Sequence, residues 1–438
     1  MKGKLLMNSV WSDHINIPQF PQLKKDINTE VLIVGGGMCG ILCAYFLKEK
    51  GIDYVLVEGE RIGQGITKNT TAKITSQHGL IYDKLIKNAG IEKAKMYLQS
   101  NEDALAKFRE LCKNIKCDFE QKDAYTYSHS DEKQLEDEVK AVNVLGLKAE
   151  FVEKLPLPFE TKGAIKVGNQ AQFNPLRFLS EIAKGLNIFE NTFIRDIKDH
   201  TAIADDVKIT ANKIIVATHF PFINKHGSYF LKMYQHRSYV IALQNAPEVN
   251  GMYVDEAQKG MSFRNYKDLL LIGGGDHRTG KMGGNWQELR EFAKKNYPEA
   301  TEKYAWATQD CMSLDGIPYI GHYSKQTPHM YVATGFNKWG MTSSMVAAMI
   351  LSDMVMGKEN EYREVYSPHR SMIKQQLLIN GVEAVSNLLT PSIKRCPHMG
   401  CSLKWNKNER TWDCPCHGSR FESDGKLIDN PAKHNAKV

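Results

Sequence analysis

Side chains that bind metal ions are concentrated in one short stretch near the C-terminus. Residues 395–421, RCPHMGCSLKWNKNERTWDCPCHGSRF, hold four of the nine cysteines and two of the fourteen histidines of the chain. Their order is C-x-H, then C, then C-x-C-H, and the six positions are Cys396, His398, Cys401, Cys414, Cys416 and His417. Thiolates and neutral imidazoles bind both zinc and iron–sulfur clusters. The spacing therefore predicts a metal centre held by two short loops.

These ligand types leave two chemistries open. A structural zinc site uses four Cys and His ligands, and a 2Fe-2S cluster held by two thiolates and two imidazoles uses the same residue types. Six well-placed candidates exceed the four that zinc requires, which favours the iron–sulfur interpretation. Gly400 and Gly418 follow the two pairs of Cys and His, where tight backbone turns are required.

A second candidate site lies near the N-terminus, in EVLIVGGGMCGILCAYFLKEKGIDYVLVEGE, residues 30–60. One apolar run stops at Gly35, a helical pattern extends to Lys50, and a second apolar run ends at Glu58. This order predicts a βαβ unit, in which the crossover is right-handed and the strands are parallel.

The glycines of this unit match a dinucleotide-binding loop. Gly35, Gly37 and Gly40 form G-x-G-x-x-G, in which the first permits a tight turn, the second lets the backbone approach a pyrophosphate, and the third lets helix and strand pack closely. Glu58 follows 21 residues after Gly37, where a carboxylate can hold ribose hydroxyls. The alternative, a strand-to-helix turn without a ligand, is disfavoured because both strands and the acid are in register.

Periodicity elsewhere predicts the elements that must position these two sites. Residues 88–113 and 131–146 have helical spacing and high charge, as expected of a layer that covers a sheet. The alternating pattern from 236 to 275 predicts an antiparallel sheet separate from the parallel one. The remaining predictions are strands at 213–220 and near 331, a helix after Pro175, a helix from about Met341 to Met356, and a polar connector at 357–392.

Length and composition limit the classes of function that the chain can have. A chain of 438 residues, 42% hydrophobic and 24% charged, is typical of a globular protein with two or three domains. The formal net charge of +7 is not gathered in a basic stripe, so nucleic acid is not an expected partner. The sequence has neither a signal-peptide pattern nor a window apolar enough for a membrane span, and we expect a cytoplasmic protein.

A cytoplasmic location disfavours ordinary structural disulfides. The five cysteines outside the C-terminal stretch are scattered, and small buried cysteines are common in protein cores. We therefore expect buried thiols at Cys39, Cys43, Cys112, Cys117 and Cys311.

Most of residues 28–356 resembles the FAD-dependent amine and amino-acid oxidase superfamily that includes glycine oxidase and D-amino-acid oxidase. The resemblance runs through the glycine loop with Glu58, RIGQGITKNTTAKITSQHG, KIIVATHF, WATQDCMSLDGIPYIG and YVATGFNKWGMTSS. It implies a Rossmann-like FAD-binding domain beside an antiparallel substrate domain. It also implies further FAD contacts at Gly65, Thr67, Thr70, Thr71, Ala72, Ile194, Ala217, Gly335, Gly340, Met341 and Thr342.

One departure from this superfamily concerns substrate binding. Where many relatives have an arginine before D-G-x-P-x-I-G, this chain reads Gln309-Asp310, so the usual clamp for a substrate carboxylate is in doubt. Arg237, Arg264 and Arg278 are the remaining candidates, and a solvated surface arginine is the alternative for each.

Three other residues are candidates for acid–base catalysis because they fall in passages that face the flavin in the superfamily. They are Lys73, His78 and Lys338. Cys311 does not match the superfamily position that carries a covalent flavin link.

The motifs HMGC and CPCHGS resemble the Rieske domain of the respiratory and photosynthetic type. The resemblance implies four cluster ligands and one disulfide: Cys396 and Cys414 on one iron, His398 and His417 on the other, and a Cys401–Cys416 bridge. Two imidazoles in place of two thiolates remove two negative charges, which raises the reduction potential to roughly −150 to +300 mV. Ser419 is at the position whose hydroxyl bonds a cluster sulfur, while Phe421 replaces a tyrosine donor of high-potential members, so we predict a potential in the lower part of that range.

Together the resemblances predict a chain of class α/β plus β, similar to bacterial FAD-dependent oxidoreductases that carry a C-terminal Rieske domain. The predicted segments are an N-terminal arm at 1–27, an FAD-binding domain at 28–85, 155–235 and 316–360, a substrate domain at 86–154 and 236–315, a connector at 361–392, and an all-β Rieske domain at 393–438.

The expected function is oxidation of an amine, amino acid or related small molecule at the flavin, with electrons passed one at a time to the cluster. The expected acceptor is a one-electron carrier protein or a quinone-linked acceptor. The alternative is an electron-transfer or redox-sensing protein without small-molecule turnover. A Rieske oxygenase is disfavoured, because its mononuclear iron needs a 2-His-1-carboxylate triad and only 21 residues follow His417.

Overall fold

The computed structural model describes residues 8–13 and 15–438. In this part of the chain the α-helices are α1 Met38–Glu49, α2 Tyr82–Ala89, α3 Ile91–Cys112, α4 Glu132–Val144, α5 Pro175–Ile182, α6 Tyr229–Lys232, α7 Asn285–Asn296, α8 Gly340–Val355, α9 Arg363–Tyr366 and α10 Gln375–Leu389. Short 3-10 helices lie at Val10–Ser12 and Ile66–Asn69. The helical pattern of residues 88–113 is interrupted at Gly90, whose φ of +86° is in the left-handed region and separates α2 from α3.

The strands of the described chain form three sheets. They are β1 Ile27–Val34, β2 Tyr54–Val57, β3 Lys73–Ile74, β4 Glu120–Tyr127, β5 Ala149–Val152, β6 Ala164–Gln172, β7 Ile188–Phe189, β8 Asp196–Lys198, β9 Thr201–Ile203, β10 Lys208–Val216, β11 Met233–Gln244, β12 Met252–Asp255, β13 Ser262–Tyr266, β14 Leu269–Arg278, β15 Thr301–Ser313, β16 Tyr319–Ser324, β17 Thr327–Thr334, β18 Lys404–Asn406, β19 Thr411–Asp413, β20 Arg420–Phe421 and β21 Leu427–Asp429.

The first sheet is parallel at its centre. Its strand order is β16-β17-β10-β1-β2-β7, and every neighbouring pair from β17 to β7 runs parallel. Strands β1 and β2 with helix α1 make the predicted βαβ unit, and α1 packs against α8 on one face of the sheet. The carboxyl ends of β1, β2 and β10 therefore meet at one edge, which is where open α/β sheets bind ligands.

The second sheet, which we call the substrate sheet, has the order β15-β11-β14-β13-β12-β4-β6-β3, with β5 beside β6. Most pairs are antiparallel, as predicted for residues 236–275, but β12 and β4 are parallel. Strand β6 belongs to this sheet, although residues 155–235 were assigned to the FAD-binding domain on sequence. It pairs with β4 in antiparallel register. The domain boundaries themselves stay a prediction.

The C-terminal part holds a small antiparallel sheet of order β18-β19-β20-β21, as expected for an all-β domain. Helix α10 lies in the predicted connector and buries Asn380 and Asn387, while its aliphatic side chains Leu378 and Val382 are exposed. No helix of the described residues has both the length and the apolar composition needed to cross a bilayer. The five cysteines outside the C-terminal stretch are buried thiols, as predicted.

Candidate functional site

The glycine loop after β1 is built as its sequence predicts. Gly35 has φ +112°, and a Cβ there would come within 2.6 Å of the Ala217 carbonyl oxygen on the neighbouring strand end. A Cβ on Gly40 would overlap the carbonyl oxygen of Gly35. A Cβ on Gly37 would meet only Thr67 Oγ1, at 3.5 Å. Gly35 and Gly40 therefore serve packing, whereas Gly37 borders open space at the start of α1.

The carboxylate of Glu58 is held rigidly at the end of β2. Its Oε2 accepts a hydrogen bond from Gly36 N at 2.7 Å, and its Oε1 accepts one from Glu60 N at 2.9 Å. Burial raises the pKa of Glu58, and these two backbone bonds oppose the rise. A fixed acceptor beside the glycine loop fits the predicted contact with ribose hydroxyls.

A cavity of about 1150 Å³ runs from the glycine loop along the substrate sheet to the C-terminal domain. Eleven of the predicted cofactor contacts line it: Gly35, Gly37, Glu58, Gly65, Thr67, Thr70, Thr71, Ile194, Ala217, Gly340 and Met341. The other four do not line it: Gly40, Ala72, Gly335 and Thr342. All three catalytic candidates, Lys73, His78 and Lys338, also line the cavity.

The wall of this cavity carries polar atoms that fit a bound polar group. Within the described chain, five residues that line it have a buried side-chain atom without a hydrogen-bond partner: Arg61 Nε, His219 Nε2, Ser238 Oγ, Asp276 Oδ1 and Thr308 Oγ1. A buried polar atom left unpaired costs about 1–3 kcal/mol. The cavity is therefore suited to a ligand with several hydrogen-bonding groups, such as a dinucleotide with its substrate.

The catalytic candidate His78 is held by hydrogen bonds at both of its ring nitrogens. His78 has Nδ1 2.7 Å from Tyr97 Oη and Nε2 2.8 Å from Thr75 O, and burial lowers its pKa to about 3. Its Nε2 also lies 3.0 Å from Thr342 Oγ1 in the first turn of α8. Both ring nitrogens therefore have hydrogen-bond partners, one of them in the first turn of α8. A catalytic role for His78 stays a prediction.

Lys73 is less constrained. Its Nζ donates to Thr71 Oγ1 at 3.1 Å, and burial, followed by the charge of Arg264, lowers its pKa to about 7. A lysine that titrates near neutrality can accept or release a proton at physiological pH.

Lys338 belongs to a charged group on the substrate side of the cavity. Its ammonium pairs with Asp276 Oδ2, and Asp276 is 6% exposed. Asp310 faces the same space, and burial raises its pKa to about 6. Asp276 was not predicted from the sequence. The sequence feature that could have indicated it is LLLIGGGD, in which a carboxylate follows three glycines near the end of a buried strand.

None of the three candidate arginines lines the cavity, and Arg237 and Arg264 are buried rather than solvated at the surface. Arg237 pairs with Glu409, and Arg278 bonds the carbonyl oxygen of Pro415. Arg264 donates to Thr71 O at 2.7 Å and to Ala72 O at 2.9 Å. A buried guanidinium needs partners for its donors, and backbone carbonyls and a carboxylate supply most of them here, although Arg264 Nη2 has no partner among the described residues.

The two C-terminal loops that carry the predicted metal ligands have the same backbone turn. Gly400 N bonds Cys396 O and Gly418 N bonds Cys414 O, each at 2.9 Å. The two glycines have φ +79° and +81°, which explains why glycine stands at both positions. A disulfide joins Cys401 to Cys416 across the loops, as the resemblance implied.

The four predicted ligands on these loops form two contacting pairs, one of histidines and one of cysteines. His398 Nδ1 and His417 Nδ1 lie 3.2 Å apart, and burial lowers their pKa values to about 4 and about 3, so both rings are neutral. The thiols of Cys396 and Cys414 share a hydrogen bond that lowers the pKa of Cys414 and raises that of Cys396. Two neutral imidazoles and an ionisable thiol pair form the donor set of a Rieske cluster.

Ser419 lies beside Cys396. A hydrogen bond from its side chain opposes the rise in the Cys396 pKa. The hydroxyl oxygen accepts a bond from Ala432 N at 2.9 Å, which orients it. The Cys414 sulfur lies within 4.8 Å of both sulfurs of the disulfide, which are not available as thiolate ligands.

The end of β10 connects the two sites. Ala217 lines the cavity beside the glycine loop, and three residues later the Phe220 ring contacts the His417 ring with centroids 6.4 Å apart. Asn430 of the C-terminal domain donates to Thr218 O at 2.6 Å and to Phe220 O at 2.8 Å. One short segment therefore borders both candidate sites.

Fold and site together define an oxidoreductase with an FAD-binding domain and a Rieske 2Fe-2S domain. A family model described as FAD dependent oxidoreductase matches residues 30–354, and one described as Rieske [2Fe-2S] domain matches residues 354–438. The chain belongs to the FAD dependent oxidoreductase family and has a C-terminal Rieske domain. The Rieske match favours iron over the zinc interpretation of the cysteine-rich stretch.

Known proteins support this assignment. The chain is 33% identical to the Rieske 2Fe-2S iron-sulfur protein YhfW of Bacillus subtilis, over 96% of this chain and 95% of that protein. Its fold is similar to glycine oxidase from Geobacillus kaustophilus, with a TM-score of 0.68 at 18% identity over 79% of this chain and 99% of that one. It is also similar to L-proline dehydrogenase from P. horikoshii, with a TM-score of 0.66 at 17% identity over 80% and 98%.

Proposed function

We propose that this protein is an FAD-dependent dehydrogenase that oxidises the C–N bond of an amine-class substrate and passes the electrons singly through the Rieske cluster. FAD takes two electrons from an organic substrate, whereas a 2Fe-2S cluster carries one. The proposal rests on the position of the segment 217–220 between the two sites. Ala217 lines the cavity, and the ring of Phe220 contacts the ring of His417.

The charged group beside the cavity favours an amine as the reacting group. Asp276 has one carboxylate oxygen on Lys338 and the other, Oδ1, without a partner among the described residues. Asp310 adds a second carboxylate, and the candidate arginines are engaged elsewhere. A substrate ammonium group can therefore bind the free oxygen of Asp276, and we infer an amine that does not depend on an arginine clamp.

The reaction balances as the loss of two electrons and two protons from H–C–N–H to give C=N. The two electrons leave one at a time to an external one-electron carrier protein or a quinone-linked acceptor, and the protons go to solvent. Lys73, with its pKa near 7, is suited to hold one of these protons. His78 contacts Thr342 in the first turn of α8, and the first residues of this helix, Gly340 and Met341, line the cavity.

We also propose the cluster ligands by residue. Cys396 and Cys414 would hold one iron, and His398 and His417 the other, because their side chains converge between two matched loops. The Cys401–Cys416 disulfide joins these two loops.

The second candidate function is an electron-transfer or redox-sensing protein without substrate turnover. The contact of both sites with the segment 217–220 suits this function equally. The unpartnered oxygen of Asp276 favours the enzyme, because a relay has no need for an unsatisfied carboxylate at the flavin.

Anaerobic reduction separates these functions. Amines, amino acids and 2-hydroxy acids are each mixed with oxidised protein, while flavin absorbance and the electron paramagnetic resonance (EPR) signal of the reduced cluster are followed. The proposal expects flavin bleaching by an amine, followed by the cluster signal. A His417→Ala variant is the matched control, in which bleaching remains and the Rieske signal is lost. The enzyme proposal fails if none of the compounds bleaches the flavin, and the electron route fails if the flavin bleaches in wild type and the cluster stays oxidised.

A further inference from the structure

One wall of the cavity belongs to the C-terminal domain. Six residues of the segment 427–433 line the cavity that begins at the glycine loop: Leu427, Ile428, Asp429, Asn430, Ala432 and Lys433. This segment, which we call the C-terminal wall, consists of strand β21 and the four residues after it. The match to the FAD dependent oxidoreductase family ends at residue 354, so the C-terminal wall lies outside the part of the chain that this family supplies.

The C-terminal wall is fixed beside the glycine loop. Asn430 Nδ2 donates a hydrogen bond to Thr218 O at 2.6 Å. A Cβ on Gly35 would come within 3.3 Å of Thr218 Cα and within 2.6 Å of Ala217 O. The glycine loop and the C-terminal wall therefore both contact the residues that follow β10. Because the pyrophosphate of a dinucleotide lies on such a loop, the wall stands next to the expected position of the phosphates.

The other end of the C-terminal wall lies beside a second predicted FAD contact. Arg195 Nη1 donates to the carbonyl oxygen of Lys433. Arg195 follows Ile194, which lines the cavity and is one of the FAD contacts predicted from the sequence. Ala432 N donates to Ser419 Oγ at 2.9 Å, which ties this part of the wall to the rest of the C-terminal domain. The wall thus extends from the glycine loop to the neighbourhood of Ile194.

The charges of the C-terminal wall favour an anionic ligand. Asp429 pairs with Arg420 at 3.2 Å, and the amide of Asn430 is bonded to two carbonyl oxygens of the segment 217–220. Lys433 lines the cavity and is partly buried, and no carboxylate of the described residues pairs with its ammonium group. A lysine without an ion pair, beside a loop built to approach a pyrophosphate, is suited to bind phosphate oxygens.

We propose that the C-terminal domain completes the FAD site and that Lys433 binds a phosphate group of the dinucleotide. The Lys433 ammonium donates charge-assisted hydrogen bonds to phosphate oxygens, while the glycine loop and the start of α1 supply backbone N–H groups. The C-terminal domain then has a second role besides holding the cluster, because it forms part of the site for the other cofactor. The proposal concerns FAD binding, and it does not depend on which substrate the flavin oxidises.

Equilibrium dialysis of the full-length, FAD-free protein with FAD tests the role of Lys433. Lys433→Gln removes the charge and should weaken FAD affinity about tenfold or more, as expected for the loss of a hydrogen bond to a charged group. Lys433→Arg keeps the charge and should restore most of the affinity. Lys437→Gln is the matched control, because Lys437 is exposed on the same tail and does not line the cavity. Equal affinities of wild type and Lys433→Gln, or equal losses in the two glutamine variants, would overturn the proposal.

Two further readouts separate a phosphate contact from a general change in the protein. Because salt screens an ion pair, added sodium chloride should weaken FAD binding less in Lys433→Gln than in the wild type. Iron content and the Rieske EPR signal of Lys433→Gln should match those of the wild type. A variant that binds FAD normally and shifts only the reduction potential of the cluster would assign Lys433 to the cluster and count against a phosphate contact.

Hydrogen exchange tests the contact in the wild-type protein, without any substitution. Addition of FAD should slow amide exchange in residues 427–433 more than in the hairpin 404–413 of the same domain, which does not line the cavity. Equal slowing of the two segments, or no change in either, would show that the C-terminal wall does not contact the cofactor. The measurement uses neither substrate nor electron transfer. Its failure would therefore leave amine oxidation standing, and a failed substrate screen would leave this result readable.

Discussion

Arg237 on the substrate sheet and Glu409 in the C-terminal domain form a buried ion pair. Arg237 Nε lies 3.0 Å from Glu409 Oε1, a second bond joins Arg237 Nη2 to Glu409 Oε2, and the two side chains are 5% and 8% exposed. Arg420 also contacts Glu409, at 2.8 Å. Gln235 and Gln309 of the substrate sheet also donate to the carbonyl oxygens of His417 and Gly418. Together these contacts fix the C-terminal domain against the substrate sheet.

Glu409→Gln should destabilise the protein strongly. Burial alone would raise the pKa of Glu409, but Arg237 and Arg420 hold it well below its usual range, so the residue is ionised in the folded protein. Breaking a buried pair leaves an uncompensated charge and costs about 3–5 kcal/mol. We expect a loss of about 3 kcal/mol in the free energy of unfolding, measured by urea denaturation with circular dichroism.

The control for this loss is Glu364→Gln. Glu364 pairs with Lys93 on the surface, with side-chain exposures of 66% and 43%. An exposed pair contributes about 0–1 kcal/mol. Similar losses of unfolding free energy in the two variants would show that the Arg237–Glu409 pair stabilises the protein no more than an exposed ion pair.

Asp310 should give amine oxidation a pH dependence. Burial raises its pKa to about 6, so the carboxylate is protonated below that pH and ionised above it. Because only the ionised form attracts a substrate ammonium group, the second-order rate constant for anaerobic flavin bleaching should rise with pH through about 6. Below this pKa we expect a change of about tenfold per pH unit.

Asp310→Asn should remove this limb of the pH profile. Lys73→Met is the matched control, since the pKa of Lys73 is about 7 and its loss should leave the limb near 6 in place. A limb that survives in Asp310→Asn and disappears in Lys73→Met would assign the titration to the lysine.

Two glycine substitutions should separate cofactor binding from folding. A Cβ on Gly37 meets only Thr67 Oγ1, at 3.5 Å, so Gly37→Ala should fold but obstruct the approach of the pyrophosphate. We expect FAD affinity to fall about tenfold or more, which is about 1.4 kcal/mol. Equilibrium dialysis of the apoprotein with FAD gives the measurement.

Gly40→Ala is the comparison. Its Cβ would overlap the Gly35 carbonyl oxygen, and overpacking of this kind costs about 1–3 kcal/mol in stability. Thermal unfolding of the FAD-free protein should therefore show a lower Tm for Gly40→Ala and little change for Gly37→Ala. Equal Tm values for the two variants would contradict this division of roles.

His398→Ala should abolish the Rieske EPR signal while FAD stays bound. The ring is one of two neutral imidazoles whose Nδ1 atoms lie 3.2 Å apart, and its other nitrogen is 2.9 Å from Asn224 Oδ1. The matched control is His329→Ala, because His329 lies on β17 and bonds Asp199 O at 3.0 Å. Iron content and EPR of the dithionite-reduced proteins report the result, and a normal signal in His398→Ala would remove His398 from the ligand set.

The local patterns of the sequence predicted the chemistry of both sites. The spacing of Gly35, Gly37 and Glu58 requires only one βαβ unit, and such local geometry depends on neighbouring residues. The C-x-H and C-x-x-H spacings are equally local, because each pair of ligands lies on one short loop. The prediction that Phe421 lowers the reduction potential of the cluster rests on the sequence alone, and it stays a prediction.

Tertiary structure decided which polar side chains face the cavity and which face the cluster domain. Arg237, Arg278 and Gln309 lie on strands of the substrate sheet, and their direction depends on register and on what packs against the sheet. The sequence alone offered the two arginines as substrate ligands, whereas the structure turns all three residues toward the C-terminal domain. Asp276 reaches the cavity by the same long-range pairing, which no local spacing encodes.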